Sequence, residues 1–174
     1  MINLSFARAV MSVFAKHPAL QLTIRELSKK ADLSYNATHR TVQALTKEHI
    51  LLQQKYGNVC ILKVNNTAES INLLAGAAYH LARKQHGSVL QDTYHLPQEV
   101  RCIILLDNKK TAIVDTRKTD YLMGQTEKTQ ASEKIPLLTM QELLADLSKR
   151  NMQCDSITIL RGAEYFYEKV LEIR

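Results

Sequence analysis

The chain has 174 residues, 45% of them apolar, and a formal net charge of +6. That content is ordinary for a folded protein of one large or two small domains, and no stretch approaches the roughly 20 apolar residues a membrane span requires, so no membrane partner is expected. The charge is unevenly placed: residues 1–66 hold nine Lys and Arg against Glu26, Asp32 and Glu48, whereas residues 67–100 carry −1 and residues 101–174 carry +1. Such an asymmetry draws a polyanion toward one end of the molecule. The three cysteines, Cys60, Cys102 and Cys154, are widely spaced and form no CxxC pair. They read as reduced thiols of a cytoplasmic protein, because a zinc site needs closer ligands. The first 18 residues carry their charges inside an amphipathic pattern and lack a small-residue cleavage site, which argues against a signal peptide.

In chain order, residues 3–16 are predicted to form a helix, with Leu4, Ala7, Val10, Met11 and Phe14 repeating at helical spacing as core, and His17-Pro18 ending it. Thr23 opens a short second helix, with Glu26 as its capping-box partner three residues on. A tight connection follows in which Asp32 supplies the turn chemistry in place of glycine. Ser34 then caps a third helix on which Thr38, Val42 and Leu45 share one stripe.

The opposite face of that third helix carries Tyr35, Asn36, His39, Arg40 and Gln43, with no carboxylate. A solvated face usually mixes both signs of charge. Planar amides and a guanidinium can pair bidentately with base edges, and an acid there would repel the phosphates. Residues 51–64 read as a strand, a Gly57-Asn58 turn and a second strand, with Val59, Ile61, Leu62 and Val64 as its apolar content. Lys29, Lys30 and Lys55 are candidates for phosphate contact, and Tyr56 accompanies Lys55 at the hairpin tip.

This order of helices and hairpin resembles a winged helix-turn-helix domain over residues 1–66. Leu33, Ser34, Arg40, Val42, Leu45, Ile50 and Leu51 match the family's run. The resemblance implies a second helix of the pair lying in the major groove of double-stranded DNA, and a homodimer on a two-fold site. Ser34, Tyr35, Asn36, His39, Arg40, Gln43, Lys29, Lys30, Lys55 and Tyr56 are then the DNA-binding candidates. One departure is His49, standing where the family has a glycine at the helix end, which predicts a different backbone path into the wing.

Residues 67–97 form a connecting helical region. Asn66-Thr67 starts its helix, with Glu69 in capping-box position to Asn66, and Ile71, Leu74, Ala75, Ala78 and Leu81 draw the apolar stripe. The small residues Ala75, Gly76, Ala77 and Ala78 would let another helix approach, either from the C-terminal part or across a dimer seam. His80 and His86, six apart, do not share a face, so no metal is expected there.

Residues 98–174 read as a small α/β domain. Its predicted parts are a strand at 101–106, a turn at 107–110, a strand at 111–115, a polar helix or loop at 119–130 and a short strand at 135–138. A helix capped by Thr139 with Glu142, a strand at 156–160 and a final amphipathic helix complete it. The whole is an α+β chain: an N-terminal winged helix-turn-helix, a connecting helix and a small α/β domain. The ending, IPLLTMQELLADL and LRGAEYFYEKV, resembles that of minimal nucleotidyltransferase-like domains fused to archaeal winged helices. Their Gly-Ser turn and paired acids are missing, since Asp107-Asn108-Lys109-Lys110 follows the first strand and Asp115 has no acid two residues away. The resemblance therefore implies a degenerate domain without catalysis, available for a small-molecule or protein effector.

No HExxH, GxSxG, P-loop or GxGxxG run occurs, and nothing in the spacing of Asp92, His95 and Asp107 requires them to converge. Neither an enzyme nor a cofactor is expected. The functional expectation is a DNA-binding transcriptional regulator. The competing one is a nucleotidyltransferase-derived binder whose winged helix serves protein contacts, and the acid-free face of the third helix favours the former.

Overall fold

The computed structural model describes residues 3–86, 100–106, 109–114, 137–149 and 157–172. Three helices, α1 (Leu4–Lys16), α2 (Ile24–Lys30) and α3 (Tyr35–Lys47), precede a hairpin of β1 (Leu51–Tyr56) and β2 (Val59–Val64). A long helix α4 (Ala68–His86) leads to β3 (Val100–Leu106), β4 (Lys109–Val114), β5 (Leu137–Thr139), α5 (Met140–Lys149), β6 (Ile157–Arg161) and α6 (Ala163–Glu172). The fold is a mixed α+β one with two small sheets.

Asn3 starts α1, its Oδ1 accepting the N–H of Ser5 at 3.0 Å. Ala7, Val10, Met11 and Phe14 are buried, as the helical spacing predicts. Leu4 is not: it is 74% exposed. Asn3 and Ser5 beside it are exposed as well, so periodicity alone overstated the stripe by one residue at the helix start.

The hairpin pairs from Leu51↔Val64 to Tyr56↔Val59, and Leu22 adds a bridge to its outer side by exchanging backbone hydrogen bonds with Leu62 at 3.1 and 2.7 Å. Gly57 sits in the turn at φ +57, a conformation that costs glycine little. Leu51, Leu62 and Val64 at the hairpin base are buried, while Val59, expected among the apolar content, is 47% exposed because it lies at the tip.

The start of α4 differs from the expectation. Thr67, not Asn66, caps it: the Thr67 hydroxyl accepts the Ser70 N–H at 3.2 Å, so Glu69 has no capping-box role. Ser70 in turn donates to the Ile50 carbonyl at 3.1 Å, tying α4 to the segment that leaves α3. Along α4, Ala75, Ala77, Ala78 and Ala82 are buried, and the helix packs against α1 and against α6 and β6. The small residues thus serve close packing within the chain, and Gly76 alone faces open space.

The second sheet has the order β5-β4-β3-β6, with β3 antiparallel to both neighbours and β4 parallel to β5. The β4 strand begins at Lys109, not Thr111, and so takes in the second half of the turn expected at 107–110, while residues 107–108 lie outside the described residues. The segment 119–130, residues 135–136, Cys154, Asp92, His95, Asp107 and Asp115 also lie outside them. Side chains alternate between faces as the two-residue period demands. Cys102, Ile104, Ile113 and Ile159 join Leu143, Leu147, Phe166 and Val170 of the two C-terminal helices, and this cluster runs on without a break into Met11, Phe14 and Leu74. Each large apolar side chain so removed from water contributes about 1.5–3 kcal/mol. Tyr167 seals the junction: its buried hydroxyl donates to the Ala15 carbonyl at 2.8 Å, satisfying an acceptor in the last turn of α1.

Just before α6 Gly162 stands at φ +70, where a Cβ would come within 1.9 Å of the Arg101 carbonyl oxygen. Having no side chain to cap α6, it is assisted by Tyr79, whose hydroxyl accepts the Ala163 N–H and donates to Glu164, both at 3.2 Å. Burial, above all, pushes the Tyr79 phenol above its ordinary value, so it keeps the proton it donates.

Candidate nucleic-acid interface

Two successive helix ends set the direction of α3. The Thr23 hydroxyl accepts the Glu26 N–H at 3.2 Å while the Glu26 carboxylate accepts the Thr23 N–H at 2.8 Å, which completes the capping box of α2. These hydrogen bonds from Thr23 hold the Glu26 carboxyl below its usual value, with Lys30 and Lys29 adding smaller attractions. At the other end Asp32 adopts φ +52, and the Leu33 N–H returns to the Ser28 carbonyl at 3.0 Å. The chain reverses there, and Ser34 begins α3 by accepting the Ala37 N–H at 3.2 Å.

The far end of α3 closes the same way. His49 takes φ +57, its N–H reaches the Thr46 carbonyl at 3.0 Å, and the Ile50 N–H reaches the Leu45 carbonyl at 2.9 Å. This is a Schellman closure, with Ile50 packed inward after Leu45. His49 therefore adopts the left-handed conformation that glycine would supply, and the different backbone path expected from its identity does not arise. Asn65 steadies the corner by donating from Nδ2 to the His49 carbonyl at 2.7 Å.

Between these ends α3 turns Thr38, Thr41, Val42 and Leu45 into the core. The two threonine hydroxyls are satisfied locally, donating to the carbonyls of Ser34 and Ala37 at 3.0 and 2.8 Å. At about 100° per residue the direction opposite this stripe is held by Asn36, Arg40, Gln43 and Lys47, all exposed. Tyr35 and His39 flank that ridge on one side, their rings stacked with centroids 6.1 Å apart at 28°. On the other side runs a groove floored by Ala37, Thr41 and Ala44 and bordered by Asn3, Phe6 and Arg40. The ridge is free of acids, since Glu26 is drawn back onto its own helix start and Asp32 and Glu48 lie beyond the ends of α3.

The candidates from sequence divide into four places. Asn36, Arg40 and Gln43 share the ridge, with Tyr35 and His39 beside it. Ser34 is exposed at the helix start and its hydroxyl is engaged in the cap. Lys29 and Lys30 are exposed at the end of α2, and Lys55 and Tyr56 are exposed on the hairpin, where the Tyr56 hydroxyl donates to Gln54 at 3.2 Å. Sequence reasoning passed over Lys47, although its position four residues after Gln43 and seven after Arg40 placed it on the same line. The hairpin side chains Gln53, Gln54 and Asn58 were passed over too, and all are exposed.

Elsewhere the chemistry is subdued. Cys102 is buried in the sheet, and burial first, then the nearby Glu164 carboxylate, pushes its thiol far above the ordinary value and keeps it protonated and unreactive. Among the described residues no group of three or more His, Cys, Asp or Glu is placed to hold a metal ion, and no helix is long and apolar enough to cross a membrane. Comparison with protein-family models, with curated proteins and with solved structures gives no match for this chain.

Proposed function

We propose that this chain is a sequence-specific transcriptional regulator that binds double-stranded DNA through a winged helix-turn-helix formed by residues 1–66. In this reading α2 and α3 are the helix-turn-helix pair, α3 lies in the major groove, and the β1–β2 hairpin is the wing. The observation that carries it is the ridge of Asn36, Arg40, Gln43 and Lys47, fully displayed, free of acids and set on the half of the chain that holds the charge excess. Lys29, Lys30 and Lys55 supply phosphate contacts, which add affinity without sequence preference. The protein acts in the cytoplasm as a homodimer, matching a two-fold operator, and the C-terminal sheet with α5 and α6 carries regulation rather than catalysis.

Binding of the full chain to a labelled random-sequence duplex across a salt series tests this. Affinity is expected to fall steeply with salt, several phosphate contacts setting the slope, and Arg40→Ala is expected to weaken binding at every salt concentration. Binding unaltered by Arg40→Ala throughout the series would remove α3 from the interface. Solution mass measured on the same sample is expected to be that of a dimer.

A further inference from the structure

We propose that the ridge of α3 reads a core of four base pairs in which one G·C pair lies between two A·T pairs, Arg40 taking the guanine and Asn36 and Gln43 the adenines. This rests on the DNA-binding reading and adds to it the class of sequence preferred. A guanidinium offers two parallel donors that fit O6 and N7 of guanine. A carboxamide offers one acceptor and one donor, the pair that meets the N6 amino group and N7 of adenine. The ridge holds no carboxylate, the usual acceptor for the cytosine amino group, and adenine is the base whose edge meets both the acceptor and the donor of a carboxamide.

Spacing sets the length of the core. Asn36 and Arg40 are four residues apart and Arg40 and Gln43 three, about 6 and 4.5 Å along the helix axis. Together these cover about three steps of the duplex at 3.4 Å each. Lys47 stands a further turn away, beyond that core, and its compact charge fits a phosphate. The flanks agree with A·T pairs. Within a groove otherwise lined by polar side chains, the methyl groups of Ala37 and Ala44 and the ring of Phe6 at its border are contacts suited to the thymine methyl that accompanies each adenine. On the other flank Tyr35 and His39 are engaged with each other and stand aside from the line of the three readers.

Selection of bound duplexes from a random library by the full chain at fixed salt, repeated with three variants, tests the assignment. The parent chain is expected to enrich A·T, G·C and A·T within four consecutive pairs. In Arg40→Ala the advantage of the matched duplex over one with its G·C pair replaced is expected to fall about 10-fold, and Asn36→Ala is expected to do the same at one flanking A·T pair. Lys47→Ala is expected to weaken matched and mismatched duplexes alike. All three side chains are exposed, and circular dichroism is expected to match that of the parent. An enriched core lacking this pattern, or preferences unchanged in Arg40→Ala and Asn36→Ala, would overturn the readout while leaving DNA binding in place. Failure to retain any duplex would overturn the proposed function and this inference with it.

Discussion

Thr23 and Thr139 open their helices with the same device, a hydroxyl accepting the N–H three residues on while a glutamate returns to the threonine. What surrounds those helices differs. In the N-terminal half the capped helix leads, through Asp32, to a ridge of polar side chains left open along α3. In the C-terminal half, the sheet buries both of its sides: Cys102, Ile104 and Ile113 on one face, Ile103, Leu105 and Val114 on the other. The charge follows the same division, with its excess on the open half. Local rules thus make comparable helices in both places, and what lies opposite them separates an open polar ridge from faces closed by packing.

The two turn glycines give the largest contrast. Gly162→Ala must drive a methyl into the Arg101 carbonyl at a left-handed φ, and is expected to cost about 3 kcal/mol or more in denaturant unfolding. Gly57→Ala has a similar φ but nothing within 4 Å, and is expected to cost only about 1 kcal/mol. Equal losses would show that the C-terminal corner is no more closed than the hairpin tip.

Tyr167→Phe is next in size. It strands the Ala15 carbonyl in a buried place, and a loss of about 1–3 kcal/mol is expected. Because one core runs through both halves, helical signal and the fluorescence of the buried Tyr167 should disappear together in the unsubstituted chain. Separate transitions in the parent protein would contradict that shared core.

The two caps sharpen the comparison under acid. Thr23→Ala and Thr139→Ala are each expected to cost about 1 kcal/mol at neutral pH. Glu26 and Glu142 both have folded values below the ordinary 4.5, first because the threonine N–H and then because the hydroxyl is donated to the carboxylate. Their contribution is therefore complete above 4.5 and is lost as pH falls through and beneath that value. Stability measured down a pH series is expected to decline in that window, and less steeply in Glu26→Gln or Glu142→Gln.

His49→Gly is the smallest change and runs the other way. Relieving a non-glycine residue at φ +57 is expected to raise stability by about 0.5–1 kcal/mol. A thermal midpoint that drops would mean that the imidazole contributes more than the backbone conformation costs.

Much of the candidate interface was legible in the sequence because its signals are local. A cap and its partner lie three residues apart, and a buried stripe and an open ridge follow from a turn of 3.6 residues, so Ser34, Val42, Asn36 and Arg40 declare their places. Lys47 is just as legible, four residues beyond Gln43 on the same line of the helix. His49 misled: its identity departs from glycine, yet the closing hydrogen bonds of Thr46, Leu45 and Asn65 impose the left-handed backbone regardless.

By itself, then, the sequence determined the helices, the hairpin with its Gly57 turn, the capping boxes at Thr23 and Thr139 and the placing of charge, all of which depend on neighbours within a turn or two. Only tertiary structure decided that Leu4 stays in solvent, that the alanines of α4 serve the chain's own helices, and that Tyr167 reaches Ala15, 152 residues away. Those outcomes turn on which element happens to lie opposite, and no periodicity along one strand of sequence contains the identity of the surface it will meet.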